Sequence, residues 1–446
     1  MDVPAHGQDD LRLLLLLIGN TNTKTMRLFY TIGIWFYTLG IRVAALFGHE
    51  KARQMVTGWR QVPQALSKLS ADKPTVWFHA ASLGEFEQAR PVLEAYRQRH
   101  PDHQVLVTFF SPSGYEVRKN YSQADAVCYL PMDTPGNVRR FLDAAHPDKV
   151  FFVKYEFWYN YLNALRQRGI DTYIFSAIFR PEQYFFKPWG RWFVRQLRDC
   201  FTHLFVQNEE SLRLLKDHGI SHCSLAGDTR FDRVHQIAEA AESNEVVETF
   251  LEGYEGRVLV AGSTWPPDEQ VLAHVRETNG DWFPGRIILA PHVISEEHLQ
   301  SIEKLFPDSI RYSECINALT QSHNNTFTHS KVLIIDNIGL LSKLYRYADV
   351  AYIGGGFGVG IHNILEAVTF GKPVFFGPNY QKFQEAHDII ARGGGWSLRG
   401  EYDMEEGDFM HLMTHPEAME KASQKCLEYM QQNLGSTDKI LNTIEK

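Results

Sequence analysis

Short apolar runs alternate with helical stretches along the chain from Pro74 onward, and that alternation leaves few folds open. Thr75–His79, Gln104–Thr108, Ala126–Tyr129, Lys149–Val153, Thr172–Phe175, His203–Val206 and Cys223–Leu225 read as buried strands. An acidic stretch, Glu239 to Glu255, breaks the series. It restarts with Val258–Ala261, Arg286–Ala290, Val332–Ile335, Val350–Ile353 and Pro373–Phe376. Strands joined by helical crossovers build parallel sheets, so the break predicts two α/β domains, residues 49–237 and 238–446. In open sheets of this kind ligands bind outside the carboxyl ends of the strands, and two such sheets facing one another predict a cleft. Gln321–Ser330, polar and aperiodic, reads as a loop.

The formal net charge of −8 hides an asymmetry. Residues 27–235 carry roughly +7 and residues 236–446 roughly −14. Two lobes with different partners are expected. The basic half suits an anionic membrane surface, and no nucleic-acid module is visible. Five cysteines are scattered without a CxxC pair, which argues against a zinc site or a disulfide framework.

Leu28 to Gly48 is apolar apart from Arg42 and is long enough to span a bilayer or to lie in its interface. A buried core helix has the same composition. Lys51, Arg53 and Arg60 follow it, as the positive-inside rule expects for a cytoplasmic body. Residues 1–25 resemble neither domain and read as an extension of uncertain status, with an anchor helix over 26–48.

The stretch Asp349 to Asn379 holds a strand, the glycines Gly354, Gly355, Gly356, Gly358 and Gly360, a helix expected over Asn363–Phe370, and a further strand. A glycine loop entering a helix N-terminus offers bare N–H groups to an anion. Asn363 and Glu366 share a helix face at that mouth, where a carboxylate can accept bonds from a ribose diol. A tight turn followed by a helix-opening acid fits the same residues. The spacing is neither GxGxxG nor a Walker loop.

Other strand ends carry polar turns. His79-Ala80-Ala81-Ser82-Leu83-Gly84-Glu85 follows the first strand, and Glu85 reads either as a partly desolvated base or as an acid favoured by the helix dipole. Tyr155-Glu156-Phe157-Trp158 places a second acid at a strand end. Arg180 to Arg198 interleaves Lys187, Arg191, Arg195 and Arg198 with aromatic residues, which suits a lipid headgroup and a membrane surface, or an amphipathic core helix. Gly227-Asp228-Thr229-Arg230-Phe231-Asp232 is a charged turn expected to face the cleft. Ala261-Gly262-Ser263-Thr264 and Ala290-Pro291-His292 end the first two strands of the acidic half.

Taken in order, HAASLGE, YEFW, GDTRFD, AGST, APH and GGG…HNILEA resemble the Kdo transferases of lipopolysaccharide biosynthesis. The resemblance runs from Met26 to Asn433-Leu434-Gly435. It implies a GT-B architecture of two Rossmann-like domains, and inverting transfer of 3-deoxy-D-manno-octulosonic acid (Kdo) from CMP-Kdo to the lipid A precursor lipid IVA. It implies work at the cytoplasmic side of the inner membrane with no metal and no cofactor. It places the catalytic glutamate at Glu85 and nucleotide contacts at Gly354, Gly355, Gly356, Asn363 and Glu366. Ser263, Thr264, Pro291 and His292 join these as donor-binding candidates, and Ser82, Glu156, Arg191, Arg195 and Arg230 are acceptor candidates. Two departures stand out: Pro291-His292-Val293 replaces the family's Pro-Arg-His, and Lys154 stands where many relatives carry an acid. The chemistry is consistent with a single base, because a nucleotide phosphate leaves without protonation, whereas glycosidases need two carboxyl groups.

Overall fold

The computed structural model describes residues 23–187, 190–279, 283–320, 329–400, 404 and 407–446. Most of the expected extension, Trp189 and most of the 321–330 loop lie outside them. The chain forms two compact units, Met1–Arg233 with Gly435–Lys446, and Val234–Leu434. The first boundary falls within four residues of the expected one. The last twelve residues, expected in the second domain, belong instead to the first.

The first unit is built on a seven-stranded sheet in the order β3-β2-β1-β4-β5-β6-β7. Its strands are β1 (Thr75–Ala80), β2 (Gln104–Phe109), β3 (Ala126–Tyr129), β4 (Pro147–Val153), β5 (Asp171–Ala177), β6 (His203–Val206) and β7 (Cys223–Leu225). Every pairing is parallel. All six residues of β1 are buried because helices cover both faces. The order reverses between β1 and β4, so loops after these two strands diverge and leave a crevice at their carboxyl ends.

The second unit repeats the plan in the order β10-β11-β9-β8-β12-β13-β14. Its strands are β8 (Val258–Thr264), β9 (Arg286–Pro291), β10 (Ser309–Arg311), β11 (Val332–Ile334), β12 (Val350–Ile353), β13 (Val374–Phe376) and β14 (Gly395–Ser397). Here too all pairings are parallel. The switch point lies between β8, which ends in Ser263-Thr264, and β12, whose following loop carries the glycines.

The N-terminal helix Thr23–Leu46 is long and apolar enough to cross a membrane by length and composition. It is not free of the body. Arg27 Nε donates to Asn160 Oδ1 at 3.0 Å, and Tyr30 donates to Asp133 Oδ2 at 2.7 Å. Tyr37 stacks on Phe110 at 6.4 Å. Asp133 is fully buried and also accepts the N–H groups of Asn160 and Tyr161, yet burial still raises its pKa to about 6. Asp133 and Asn160 follow β3 and β4, and Phe110 follows β2, so the helix crosses the carboxyl edge of the sheet. Its other face leaves Phe29, Trp35, Phe36, Leu39 and Leu46 exposed, and Phe47 just beyond it is exposed as well.

Candidate active site

Glu85 lies at the first switch point. Ser82 is the N-cap of the helix Leu83–Arg99, and Glu85 occupies its third position. The carboxylate Oε2 accepts the Ser82 backbone N–H at 3.0 Å and the Ser82 hydroxyl at 3.1 Å. This is the reciprocal half of a capping box, so the acid both closes the helix start and holds a fixed place at the strand end. The two readings of Glu85 therefore coexist in the geometry. Burial raises its pKa above 4.5, and the nearby Glu156 carboxylate adds to that. The Ser82 hydrogen bond, Lys154 and His79 oppose it. A half-buried carboxylate pushed upward is a stronger base than a solvated one.

Glu156 is fixed from below by a hydrogen-bonded chain. Trp77 Nε1 donates to Thr108 Oγ1 at 2.7 Å, and that hydroxyl lies 2.8 Å from His79 Nδ1. The Thr108 hydroxyl donates to Nδ1, because Glu156 as a carboxylate only accepts and so calls for the ring proton on Nε2. That proton faces Glu156 Oε2 at 3.0 Å. Trp158 Nε1 donates to the same oxygen at 2.6 Å; it also passes 3.1 Å from His79 Nε2, but the shorter approach takes its proton. Phe110, which stacks on the N-terminal helix, packs against Trp158 at 5.1 Å. An aromatic bridge thus joins that helix to the acid cluster. Lys154 follows β4 with φ +60°, a costly conformation for a residue with a Cβ. Sequence reasoning gave His79 and Trp158 no role, named Lys154 only as a departure from relatives, and did not read Ser82-x-x-Glu85 as a capping-box signature.

The other acceptor candidates separate. Arg191 and Arg195 line a basic hollow of about 440 Å³ with Lys187, Arg198 and His218. Of the aromatics beside them, Phe185 and Phe193 are buried and stacked at 4.6 Å, and Phe193 packs on Phe157, whereas Phe186 and Trp192 are half-buried. Arg230 pairs with Asp228 at 2.7 Å, and Asp228 also accepts from Gln88 at 3.0 Å. GDTRFD, expected as a turn, opens the helix Thr229–Glu239 and is a joint. Asp232 accepts the N–H groups of Gly435 at 2.8 Å and Thr437 at 2.6 Å, which fastens the helix Ser436–Ile444 to the first unit.

In the second unit the three glycines are buried, and each has a packing reason. A Cβ on Gly354 would strike the Ser263 carbonyl, one on Gly355 the Gly360 carbonyl, and one on Gly356 the backbone of Gly377. The N–H groups of Gly354, Gly355, Gly358 and Gly360 are not bare as expected. Gly354 donates to Gly262 O at 2.8 Å, Gly355 to Asp268 Oδ2 at 2.9 Å, and Gly358 and Gly360 to Gly355 O. The helix expected over Asn363–Phe370 is one turn, Leu365–Val368. Asn363 Oδ1 accepts the Leu365 N–H at 3.2 Å and holds the preceding residues in a turn. A single turn adds little dipole. Asn363 Nδ2 does reach Glu366 Oε1, at 3.1 Å.

Thr264 is buried, and its hydroxyl donates to Glu269 Oε1 at 2.9 Å. Glu269 Oε2 lies 2.9 Å from His298 Nε2. Pro291 is buried in β9, whereas His292 is exposed. Ser263 has φ +54° at the end of β8. His292 stacks on Trp265 at 4.8 Å and on His362 at 4.4 Å, and burial with the neighbouring His292 lowers the His362 pKa. This stack brings the ends of β8 and β9 to the glycine loop. A cavity of about 860 Å³ opens near the amino ends of β9 and β11 and shares no residue with this cluster. Among the described residues no three His, Cys, Asp or Glu side chains gather as metal ligands.

Comparison with known proteins agrees with this plan. A profile described as "3-Deoxy-D-manno-octulosonic-acid transferase (kdotransferase)" matches residues 57–233. The 3-deoxy-D-manno-octulosonic acid transferase of Rickettsia bellii is 24% identical over 433 residues, covering 94% of this chain and 99% of that protein. The enzyme of the same name from Aquifex aeolicus is 25% identical over 336 residues, covering 74% and 84%. UDP-GlcNAc 2-epimerase from Neisseria meningitidis, solved with UDP-GlcNAc, superposes with a TM-score of 0.57 at 15% identity, over 83% of this chain and 99% of that one. That likeness concerns the fold, the two-unit GT-B type. The chain is thus similar over most of its length to 3-deoxy-D-manno-octulosonic acid transferases, with the family profile matched at residues 57–233, and it is a glycosyltransferase.

Proposed function

We propose that this enzyme moves Kdo from CMP-Kdo to lipid IVA, inverting the anomeric centre, at the cytoplasmic face of the inner membrane. The observation that carries the reading is Glu85, a half-buried carboxylate of raised pKa at the β1 switch point. It stands on the sheet edge that the apolar N-terminal helix crosses. Glu85 takes the proton of the acceptor hydroxyl as that oxygen bonds to the anomeric carbon of Kdo. The bond from that carbon to the CMP phosphate breaks, and the electron pair leaves with the phosphate, which needs no proton. The chain from Trp77 through Thr108 and His79 holds Glu156 beside Glu85 and so keeps the base strong. The hollow lined by Lys187, Arg191 and Arg195 offers forked donors to the acceptor's phosphates. In the second unit Ser263, His292, Asn363 and Glu366 are the exposed or half-exposed candidates for the donor, and Gly354, Gly355, Gly356, Thr264 and Pro291 shape the backbone that presents them.

The test is an incubation of the enzyme with CMP-Kdo and lipid IVA, with products read by mass. Growth of the lipid by Kdo with release of CMP is the expected result. An unchanged lipid, or equal use of a UDP-sugar in place of CMP-Kdo, would overturn the assignment.

A further inference from the structure

A cavity of about 700 Å³ opens among the N-terminal helix, the following helix Glu50–Leu66 and the turn after β3. It shares no residue with the Glu85 cluster or with the basic hollow of Arg191 and Arg195. Arg42, Arg53 and Arg60 line it, and no carboxylate does. Among the described residues none of these three guanidinium groups has an ion-pair partner. Trp59 also lines the cavity, and its buried indole N–H lacks an acceptor. Arg53 Nε donates to Ala45 O at 3.2 Å, which ties it to the last turns of the N-terminal helix.

Three like charges around one hollow repel unless an anion joins them. Guanidinium forks match the oxygens of a phosphate. The surroundings decide which phosphate. Leu39, Val43 and Leu46, on the same half of the helix as Arg42, and Phe47 just after it are exposed by 56%, 42%, 83% and 88%. Acyl chains suit that apolar face, and a free anion has no use for it. The opposite face is held to the body by Arg27 and Tyr30, so the helix is not free to stand across a bilayer. We propose that this cavity binds the phosphate headgroup of an anionic phospholipid and seats the N-terminal helix flat in the membrane interface. This goes beyond the transfer reaction and does not depend on its substrates.

The experiment uses the full chain with vesicles containing phosphatidylglycerol, and with vesicles of phosphatidylcholine alone. The wild type is expected to prefer the former. A basic residue near an anionic surface contributes about fivefold in partition, so Arg42→Gln/Arg53→Gln/Arg60→Gln should lose about 100-fold. Arg42→Gln/Arg60→Gln, which keeps the Arg53 bond to Ala45, should lose about 25-fold. That variant keeps its melting temperature and its turnover on detergent-dispersed acceptor, so failure of the cavity and failure of the reaction read separately. Arg191→Gln/Arg195→Gln should partition nearly as the wild type does. Inorganic phosphate at constant ionic strength should leave the protein on the vesicles. Equal partition of the wild type into both vesicles, an undiminished Arg42/Arg60 variant, an equal loss in the Arg191/Arg195 variant, or release by free phosphate would each overturn the proposal.

Discussion

Replacing Asp232 with alanine tests whether the GDTRFD turn is a structural joint. The carboxylate is buried and accepts two backbone N–H groups, at 2.8 and 2.6 Å, at the start of a nine-residue helix. Alanine leaves both donors without an acceptor. Loss of an N-cap costs about 0.5–2 kcal/mol and loss of a hydrogen bond to a charged group about 1.5–3 kcal/mol, so a total of about 3 kcal/mol is expected. Ile440 and Leu441 of that helix are fully buried in the first unit's core, so its fraying uncovers apolar surface as well. For a unit of this size each kcal/mol moves the midpoint by about 2–4 °C, which predicts a fall of about 6–12 °C. Asp232→Asn keeps one acceptor and should lose about half as much. Calorimetry on the full chain reads the shift, and amide exchange over residues 436–444 localises it. An alanine variant that melts within about 1 °C of wild type and keeps its exchange protection would refute the joint. Lost turnover at unchanged stability would return the turn to a substrate-facing role.

Three further outcomes follow from the same geometry. Folding raises the Glu85 pKa, so its contribution to stability is fully present below about pH 4.5 and is lost as pH rises through the folded-state value. The melting temperature of Glu85→Gln relative to wild type should therefore rise between about pH 4 and pH 7; a difference independent of pH would refute the shift. Gly354→Ala drives a Cβ into the Ser263 carbonyl and should cost the second unit about 1–3 kcal/mol in chemical denaturation while the first unit's transition stays put. A variant as stable as wild type would show that the loop yields. Glu366→Ala should lose about 1.5–3 kcal/mol of CMP affinity by calorimetry if the carboxylate accepts charge-assisted ribose bonds, and unchanged affinity would leave it a partner of Asn363 alone.

All twelve apolar runs proved to be strands, because parallel strands buried on both faces leave a continuous apolar signature. Two strands escaped, β10 and β14. Both are three-residue edge strands, Ser309–Arg311 and Gly395–Ser397, too short and too exposed to show a run. The return of residues 435–446 to the first unit was also hidden. It rests on contacts such as Asp232 with Thr437, which no local pattern announces. The position of Glu85 after a strand and at a helix start was legible because both signals are local, whereas its bonds to Ser82 were not read from the spacing. The glycines were legible as a loop, but the reason for them was not. Their close approaches to Ser263, Gly360 and Gly377 come from neighbouring loops and strand ends, and Asp268, which takes the Gly355 N–H, lies 87 positions upstream. Aromatic residues between arginines gave the same pattern for a membrane face and for a core face, and only packing put Phe185 and Phe193 inside.

The central claim is that Glu85 is the base, and turnover of Glu85→Gln tests it most directly. Glutamine keeps the side-chain shape and an oxygen for the Ser82 N–H, but it cannot take a proton. General base catalysis contributes about 10²–10⁴-fold, so turnover of CMP-Kdo with lipid IVA should fall by at least that range. CMP affinity, measured on the same variant, should stay near wild type, since the donor is assigned to the other unit. Turnover within a few fold of wild type would contradict the account and leave Glu85 as a helix cap.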